Sequence, residues 1–289
     1  MGRAIVMDFL TPLTWADALA AKAERTDAVP VAGGTDVMVE LNFHRRRPPL
    51  LLDLTRVPEL SAWDRDGAVL RVGAGVTYTR IIEELGGQLP GLAAASRTVG
   101  SPQIRNRGTL GGNLGSASPA GDGHPPLLAA GATVELASVR GTREVPVADF
   151  FTGPKRSVLA PDELIAAVLV PPADGPEQFA KIGTRNAMVI AVGSFALALH
   201  PGRRAVGTGI GSAAPTPRRA PAAEEFAAAH LLWDGPGPLD PDLARRFGEL
   251  VAAAAAPIDD VRGTAAYRRH GLSVLARRTL TWAWEELCA

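Results

Sequence analysis

Cysteine is nearly absent: Cys288 is the only one in 289 residues. A lone thiol makes no internal disulfide, no four-thiolate iron–sulfur cluster and no cysteine zinc site. A reducing, cytoplasmic setting is therefore expected, and any metal redox centre the protein works with must come from another chain. The five histidines (His44, His124, His200, His230, His270) show no metal-ligand spacing. Net charge is zero, with 30 basic and 30 acidic residues, which argues against nucleic acid or an acidic membrane as a main partner. No apolar run approaches the ~20 residues of a membrane span. The opening MGRAIVMDFLTP reads as a first strand and not as a signal peptide, because Asp8 cuts its apolar run and Pro12 follows. Val6 stands where myristoylation needs Ser or Thr.

Glycine and proline are plentiful, and they punctuate β–α alternation. Thr14, with Asp17 three residues on, predicts a capped helix to about Arg25. Residues 28–32 and 50–54 read as buried strands, with helical text at 37–43 between them. A strand is expected at 68–72 and a capped helix at 77–85. Strands are also expected at 132–139, 143–147 and 164–170. Residues 96–122, rich in Gly, Ser, Asn and Pro, read as one long functional loop. The Pro/Gly-rich 171–176 is the clearest linker. Three strand-like runs (179–182, 189–199, 204–210) come next, then helical text from Ala222, broken at 235–238 and near Pro257, with a last helix over 264–287.

Two glycine turns carry the chemistry. Ala32-Gly33-Gly34-Thr35-Asp36 follows a strand, and Thr109-Leu110-Gly111-Gly112-Asn113 ends the long loop. Each offers bare backbone N–H groups and a hydroxyl at a sharp bend, suited to a phosphate; together they suit a pyrophosphate. Each taken alone is also what an ordinary tight turn looks like. Neither is followed by the lysine of a Walker A loop. Gly73-Ala74-Gly75 is rejected as a dinucleotide fingerprint because Tyr78 occupies the third glycine position. Gly207 to Gly211 reads as a strand ending. Arg105 and Arg107 either neutralise a phosphate or brace the loop through carbonyls. Arg45-Arg46-Arg47 reads as a solvated charge run, or one that meets an acidic partner. No nucleophile–base set or carboxylate pair stands out, so cofactor chemistry is implied.

The segments AGGTD (32–36), GSPQIRNRGTLGGN (100–113), ASPAGD (117–122), FAKIGTR (179–185) and DDVRGTAAYRR (259–269) carry a resemblance. In this order and spacing the chain resembles the FAD-binding medium subunit of molybdenum hydroxylases, the carbon monoxide dehydrogenase and xanthine dehydrogenase flavin-subunit family. The resemblance implies an α+β fold: a two-subdomain FAD-binding unit of the vanillyl-alcohol-oxidase (PCMH) type over residues 1–174, divided about 1–56 and 57–174. A C-terminal domain of three-stranded antiparallel sheet plus helical bundle would fill 175–289.

Site residues carry over by position. Ala32, Gly33, Gly34, Thr35 and Asp36, flanked by Val31 and Val37, would line one side of the FAD pyrophosphate. Thr109, Leu110, Gly111, Gly112 and Asn113 would line the other. Asp122 would bind toward the adenosine ribose, Ile165 would touch the cofactor, and Lys181 would stand near the flavin ring. Val99 is aliphatic where one branch of the family is often aromatic. No anchoring His or Cys lies in the first turn, so non-covalent FAD is expected.

The function implied is relay of electrons from an iron–sulfur subunit of a molybdopterin-containing hydroxylase to a small acceptor: NAD, a quinone or oxygen. A stand-alone FAD oxidoreductase on the same scaffold, and a flavin-free scaffold protein, are the alternatives.

Overall fold

Three short apolar strands have too little surface to bury themselves, so they are packed by helices from the same stretch of chain. The computed structural model describes residues 7–235 and 237–289; residues 1–6, the start of the expected first strand, lie outside them. The chain opens with β1 (Asp8–Leu10), α1 (Trp15–Glu24), β2 (Val29–Val31), α2 (Val37–Asn42) and β3 (Leu50–Asp53). These strands form a parallel sheet in the order β1-β3-β2. Thr14 caps α1, its hydroxyl accepting from Asp17 N–H at 3.1 Å; an N-cap of this kind stabilises by roughly 1 kcal/mol. Buried Lys22 ties the end of α1 to β2 by donating to the carbonyls of Thr26 (2.9 Å) and Ala28 (2.7 Å).

The second unit is antiparallel. It contains β4 (Trp63–Asp66), β5 (Val69–Gly73), α3 (Tyr78–Glu84), α4 (Pro90–Arg97), α5 (Pro102–Arg107), α6 (Leu110–Ser116) and α7 (His124–Ala129). It continues with β6 (Thr133–Ser138), β7 (Gly141–Pro146), α8 (Val147–Phe150), β8 (Phe151–Gly153), β9 (Arg156–Ser157) and β10 (Leu164–Val170). Five of its strands pair in the order β4-β5-β10-β6-β7. β10 is central and buried nearly throughout, which explains its unbroken apolar text.

The expected long loop at 96–122 is mostly helix. Ser101 caps α5, with Pro102 at its first turn, and Thr109 caps α6. Low helix propensity of Gly, Ser and Asn hid these helices. It is overcome by packing: Gly111 sits so close to Ala74 that an added Cβ would stand 2.4 Å from the Ala74 Cβ. β4, α4 and α7 are further elements without a counterpart in the sequence reading.

The remaining elements are β11 (Glu177–Ile182), β12 (Gly193–His200), β13 (Ala205–Gly211), α9 (Pro221–His230), α10 (Pro241–Ala254) and α11 (Ala265–Cys288). The strands form an antiparallel sheet in sequence order, covered by the three helices around a second hydrophobic core. The architecture is α+β, as the resemblance implied. The strand expected over 189–199 starts only at Gly193, and residues 183–192 are a connecting loop. The 259–269 segment fastens α11: the buried Arg268 guanidinium donates to the carbonyls of Val192 (3.0 Å) and Ser212 (2.5 Å) and to Asp260 (2.5 Å).

Two of the contacts that join this last sheet to the rest set a helix along a strand. Helix α7 lies directly on β13. An added Cβ at Gly207 would meet the Ala129 carbonyl oxygen at 2.0 Å, and one at Gly209 the Pro125 carbonyl oxygen at 2.0 Å. Residues two apart on a strand and four apart on a helix share a face, so the two glycines match the two carbonyls. Strand β11 runs along α4. Glu177 Oε2 accepts from Gly91 N–H (2.9 Å) at the start of the helix, and Lys181 Nζ donates to the Thr98 carbonyl (3.2 Å) at its end. An acid at the N-terminus and a cation at the C-terminus complement the helix dipole.

Gly209→Ala is expected to lower stability by about 2–3 kcal/mol in urea unfolding, as backbone has no room to yield. Glu177 gives a pH signature. Burial, reinforced by Asp174 and partly offset by the Gly91 N–H, raises its carboxyl to about 7 from 4.5. The folded chain thus binds this proton more tightly than the unfolded chain and loses stability as pH rises from about 4.5 to about 7. Glu177→Gln keeps the acceptor without the charge. It should raise the melting temperature at pH 8, by up to about 3 kcal/mol of stability, and leave it unchanged at pH 4.

Candidate cofactor-binding site

The two glycine turns meet. An added Cβ at Gly33 would stand 1.9 Å from the Arg107 carbonyl oxygen and 3.0 Å from Gly108 Cα. Only a glycine lets the first turn lie this close to the residues leading into the second. A cleft of about 1050 Å³ opens between them, lined by both turns and by the parallel sheet, α3 and the 159–161 and 188–190 loops.

Of the residues singled out from sequence, Ala32, Gly33, Gly34, Thr35, Asp36, Val37, Val99, Thr109, Gly111, Gly112, Asn113, Asp122 and Ile165 line this cleft. Val31, Leu110 and Lys181 do not. Val31 ends β2, one residue short of the bend. Leu110 is fully buried in the main core, because the second turn begins a helix whose first apolar side chain points inward. Lys181 stands behind the wall: its ammonium is buried against Asp122 Oδ2 at 2.6 Å and only Asp122 reaches the surface of the cleft.

The turns differ in what they offer. Among the described residues the N–H groups of Gly33 to Asp36 have no acceptor, and Gly34 bends with φ +75°. Of the N–H groups of the second turn, all but that of Thr109 are engaged, contrary to the sequence reading. Leu110 donates to Val76 O (3.0 Å), Gly111 to Ala74 O (2.9 Å), Gly112 to Thr109 Oγ1 (3.0 Å) and Asn113 to Thr109 O (3.0 Å). The second turn is a docked, self-capped helix start that leaves one donor free, the Thr109 N–H. Its partners Ala74 and Val76 are distant in sequence, which is why the engagement was invisible there.

The arginines divide between their two readings. Arg105 braces the Val99 and Gly100 carbonyls, both at 3.1 Å. Arg107 and Arg46 line the cleft and supply positive charge. Burial pushes the Asp122 carboxyl up while the Lys181 ammonium pulls it back; breaking such a buried pair costs about 3–5 kcal/mol. Tyr78, the residue that disqualified the fingerprint, also lines the cleft, and burial raises its phenol well above the usual range.

A family model described as the FAD binding domain in molybdopterin dehydrogenase matches residues 5–173. A second, the CO dehydrogenase flavoprotein C-terminal domain, matches residues 178–283. The chain belongs to this flavoprotein family. It is 32% identical to the nicotine 6-hydroxylase medium subunit of Paenarthrobacter nicotinovorans, over 95% of this chain and 96% of that one. It is 33% identical to a putative xanthine dehydrogenase FAD-binding subunit of Escherichia coli, over 93% of each. Among solved structures, quinoline 2-oxidoreductase from Pseudomonas putida superposes with a TM-score of 0.90 at 25% identity, covering 98% of this chain and 99% of that one.

The protein is thus an FAD-binding oxidoreductase subunit of the molybdenum-hydroxylase type. The cleft suits FAD on its own features. The first turn offers free donors, Gly111 lets the second turn dock directly on Ala74, and the buried oxygens of Tyr78 and Asp122 Oδ1 lack hydrogen-bond partners. Gly33→Ala must force the turns apart, so the flavoprotein should purify with well under one FAD per chain. Gly111→Val should do the same. Absorbance after acid release of the flavin measures both, with circular dichroism as the check on folding.

Proposed function

We propose that this flavoprotein subunit accepts electrons from an iron–sulfur subunit of a molybdopterin-containing hydroxylase and passes them to a small external acceptor: NAD, a quinone or oxygen. Bound FAD supplies the ability to exchange one or two electrons. The residues of the chain bind and orient it. Free N–H groups of the first turn, with Arg46 and Arg107, hold the anionic pyrophosphate, and Asn113, Asp122 and Ile165 fix the remainder.

The observation that carries the relay reading is the state of the acids in the cleft. Of the five acids that line it, four are paired: Asp27 with Arg25, Glu40 with Lys155, Asp122 with Lys181 and Glu163 with Arg143; the fifth, Asp36, has no ion-pair partner among the described residues and belongs to the first glycine turn. Carboxylates tied in ion pairs hold a cofactor in place; a free, positioned acid–base pair is what an enzyme acting on its own substrate needs. The names of the relatives, a medium subunit and an FAD-binding subunit, support partners of the same kind here. No helix of the described residues is long and apolar enough to cross a membrane. With the single cysteine, this supports a cytoplasmic complex.

Affinity purification of the tagged chain from its native host should recover about one FAD per chain, together with a larger subunit containing molybdenum and a smaller one containing iron. Reduction of the flavin by a small organic substrate in the purified chain alone, with no co-purifying subunit, would favour the stand-alone oxidoreductase.

A further inference from the structure

Helix α2 buries none of its side chains, although Val37, Met38, Val39 and Leu41 make most of it apolar. Val37 and Glu40, three apart on one side of the helix, line the cleft. Val39 and Phe43 are four apart and share another side, joined by the bond from the Phe43 N–H to the Val39 carbonyl (3.0 Å). Met38 is 48% exposed, Val39 45% and Phe43 69%, and none of the three lines the cleft. An apolar side turned to solvent and rimmed by polar residues marks a surface that another molecule covers.

The rim of this patch is basic. Arg45, Arg46 and Arg47 follow Phe43 closely, a local excess on a chain of zero net charge. Arg46 lines the cleft. The Arg45 guanidinium carbon lies 5.5 Å from the centroid of the Phe43 ring, and Arg47 meets the His44 imidazole. Among the described residues neither Arg45 nor Arg47 has a carboxylate partner, and nearby Glu40 is taken by Lys155. Aromatic residues, methionine and arginine are the types enriched where proteins meet. A second copy of this chain does not fit, because a two-fold contact would set arginines against arginines. The complement is an acidic protein face around an apolar centre.

The position of the patch narrows the partner. It shares a helix with the cleft wall, and Met38 Cγ stands 3.5 Å from where a Cβ on Gly34 would be, so it abuts the first turn. Electron transfer slows steeply with distance, and a donor to the cleft has to seat close beside it. We propose that Met38, Val39, Phe43, Arg45 and Arg47 form the docking surface for the iron–sulfur subunit, which meets them with an acidic face around an apolar centre. The inference rests on the relay reading given above.

The test uses the tagged full-length chain purified from its native host as wild type, as the double variant Arg45→Glu with Arg47→Glu, and as Phe43→Asp. Iron and molybdenum per FAD report the two partners. Both variants should keep the wild-type melting temperature and FAD per chain, because none of the substituted residues lines the cleft. Iron per FAD should fall roughly tenfold in each after a salt wash. The wild-type complex should itself loosen as salt rises. Wild-type iron content in both variants overturns the proposal; binding of phosphatidylserine vesicles by the wild type alone would then assign the patch to a membrane. Loss of molybdenum with iron retained also overturns it and gives the face to the larger subunit. So does a lower melting temperature or lost FAD in both variants, which would make the patch part of the fold. A wild-type chain that recovers no iron-containing subunit is a separate result and sinks the relay reading itself.

Discussion

Backbone against backbone, with no side chain between, is the contact on which the cleft depends. Gly33 rests on the carbonyl of Arg107, and through it the parallel sheet is set against the helices that grow from the antiparallel one. Each sheet has its own reason to fold, but neither forms a binding site alone. The cleft exists because two bends are held at van der Waals distance while the elements behind them diverge. A methyl group at this point would act as a wedge, and the displacement would be delivered straight to the place where a pyrophosphate would lie.

The sequences of the two bends invite reading them as equivalent halves of a clamp. Their hydrogen bonds say otherwise. The first is open, its N–H groups unpaired and its residues lining the cleft. The second uses all its N–H groups but that of Thr109 in docking onto Ala74 and Val76 and in capping itself with Thr109. One turn keeps its donors free; the other is rigidly docked on the segment that leads into α3. This division also explains why Tyr78 lies where it does. The segment that receives the second turn leads directly into α3, so docking the turn brings the first side chain of that helix to the cleft.

Local signals were legible in the sequence where the physics is local. Thr14 and Thr77 announced their helices because an N-cap acts within three residues. The glycines of β13 were correctly read as strand, although their purpose, admitting the carbonyls of Pro125 and Ala129, appears only in three dimensions. The helices at 102–107 and 110–116 were missed because propensity spoke against them, even though Ser101-Pro102 and Thr109 are ordinary cap signals. The family resemblance brought most of the cleft wall together at once. It could not say that Lys181 reaches the cleft only through Asp122, since that pairing joins residues in different sheets' neighbourhoods. Tyr78 was passed over because a comparison with the wrong nucleotide motif assigned it a negative meaning.

The Asp122–Lys181 pair has a consequence for how the chain can be divided. Lys181 belongs to the last sheet, and Asp122 to the wall of the cleft. Cut between the two cores, the first piece would keep every turn and glycine of the cofactor site and still inherit a buried carboxylate stripped of its counterion. The second piece would carry a lysine with nothing to neutralise. The flavin-binding half is therefore not a transplantable module, whatever its sequence boundaries suggest. A chimera between relatives would have to exchange the acid and the base as a unit, as one does with the two halves of a lock.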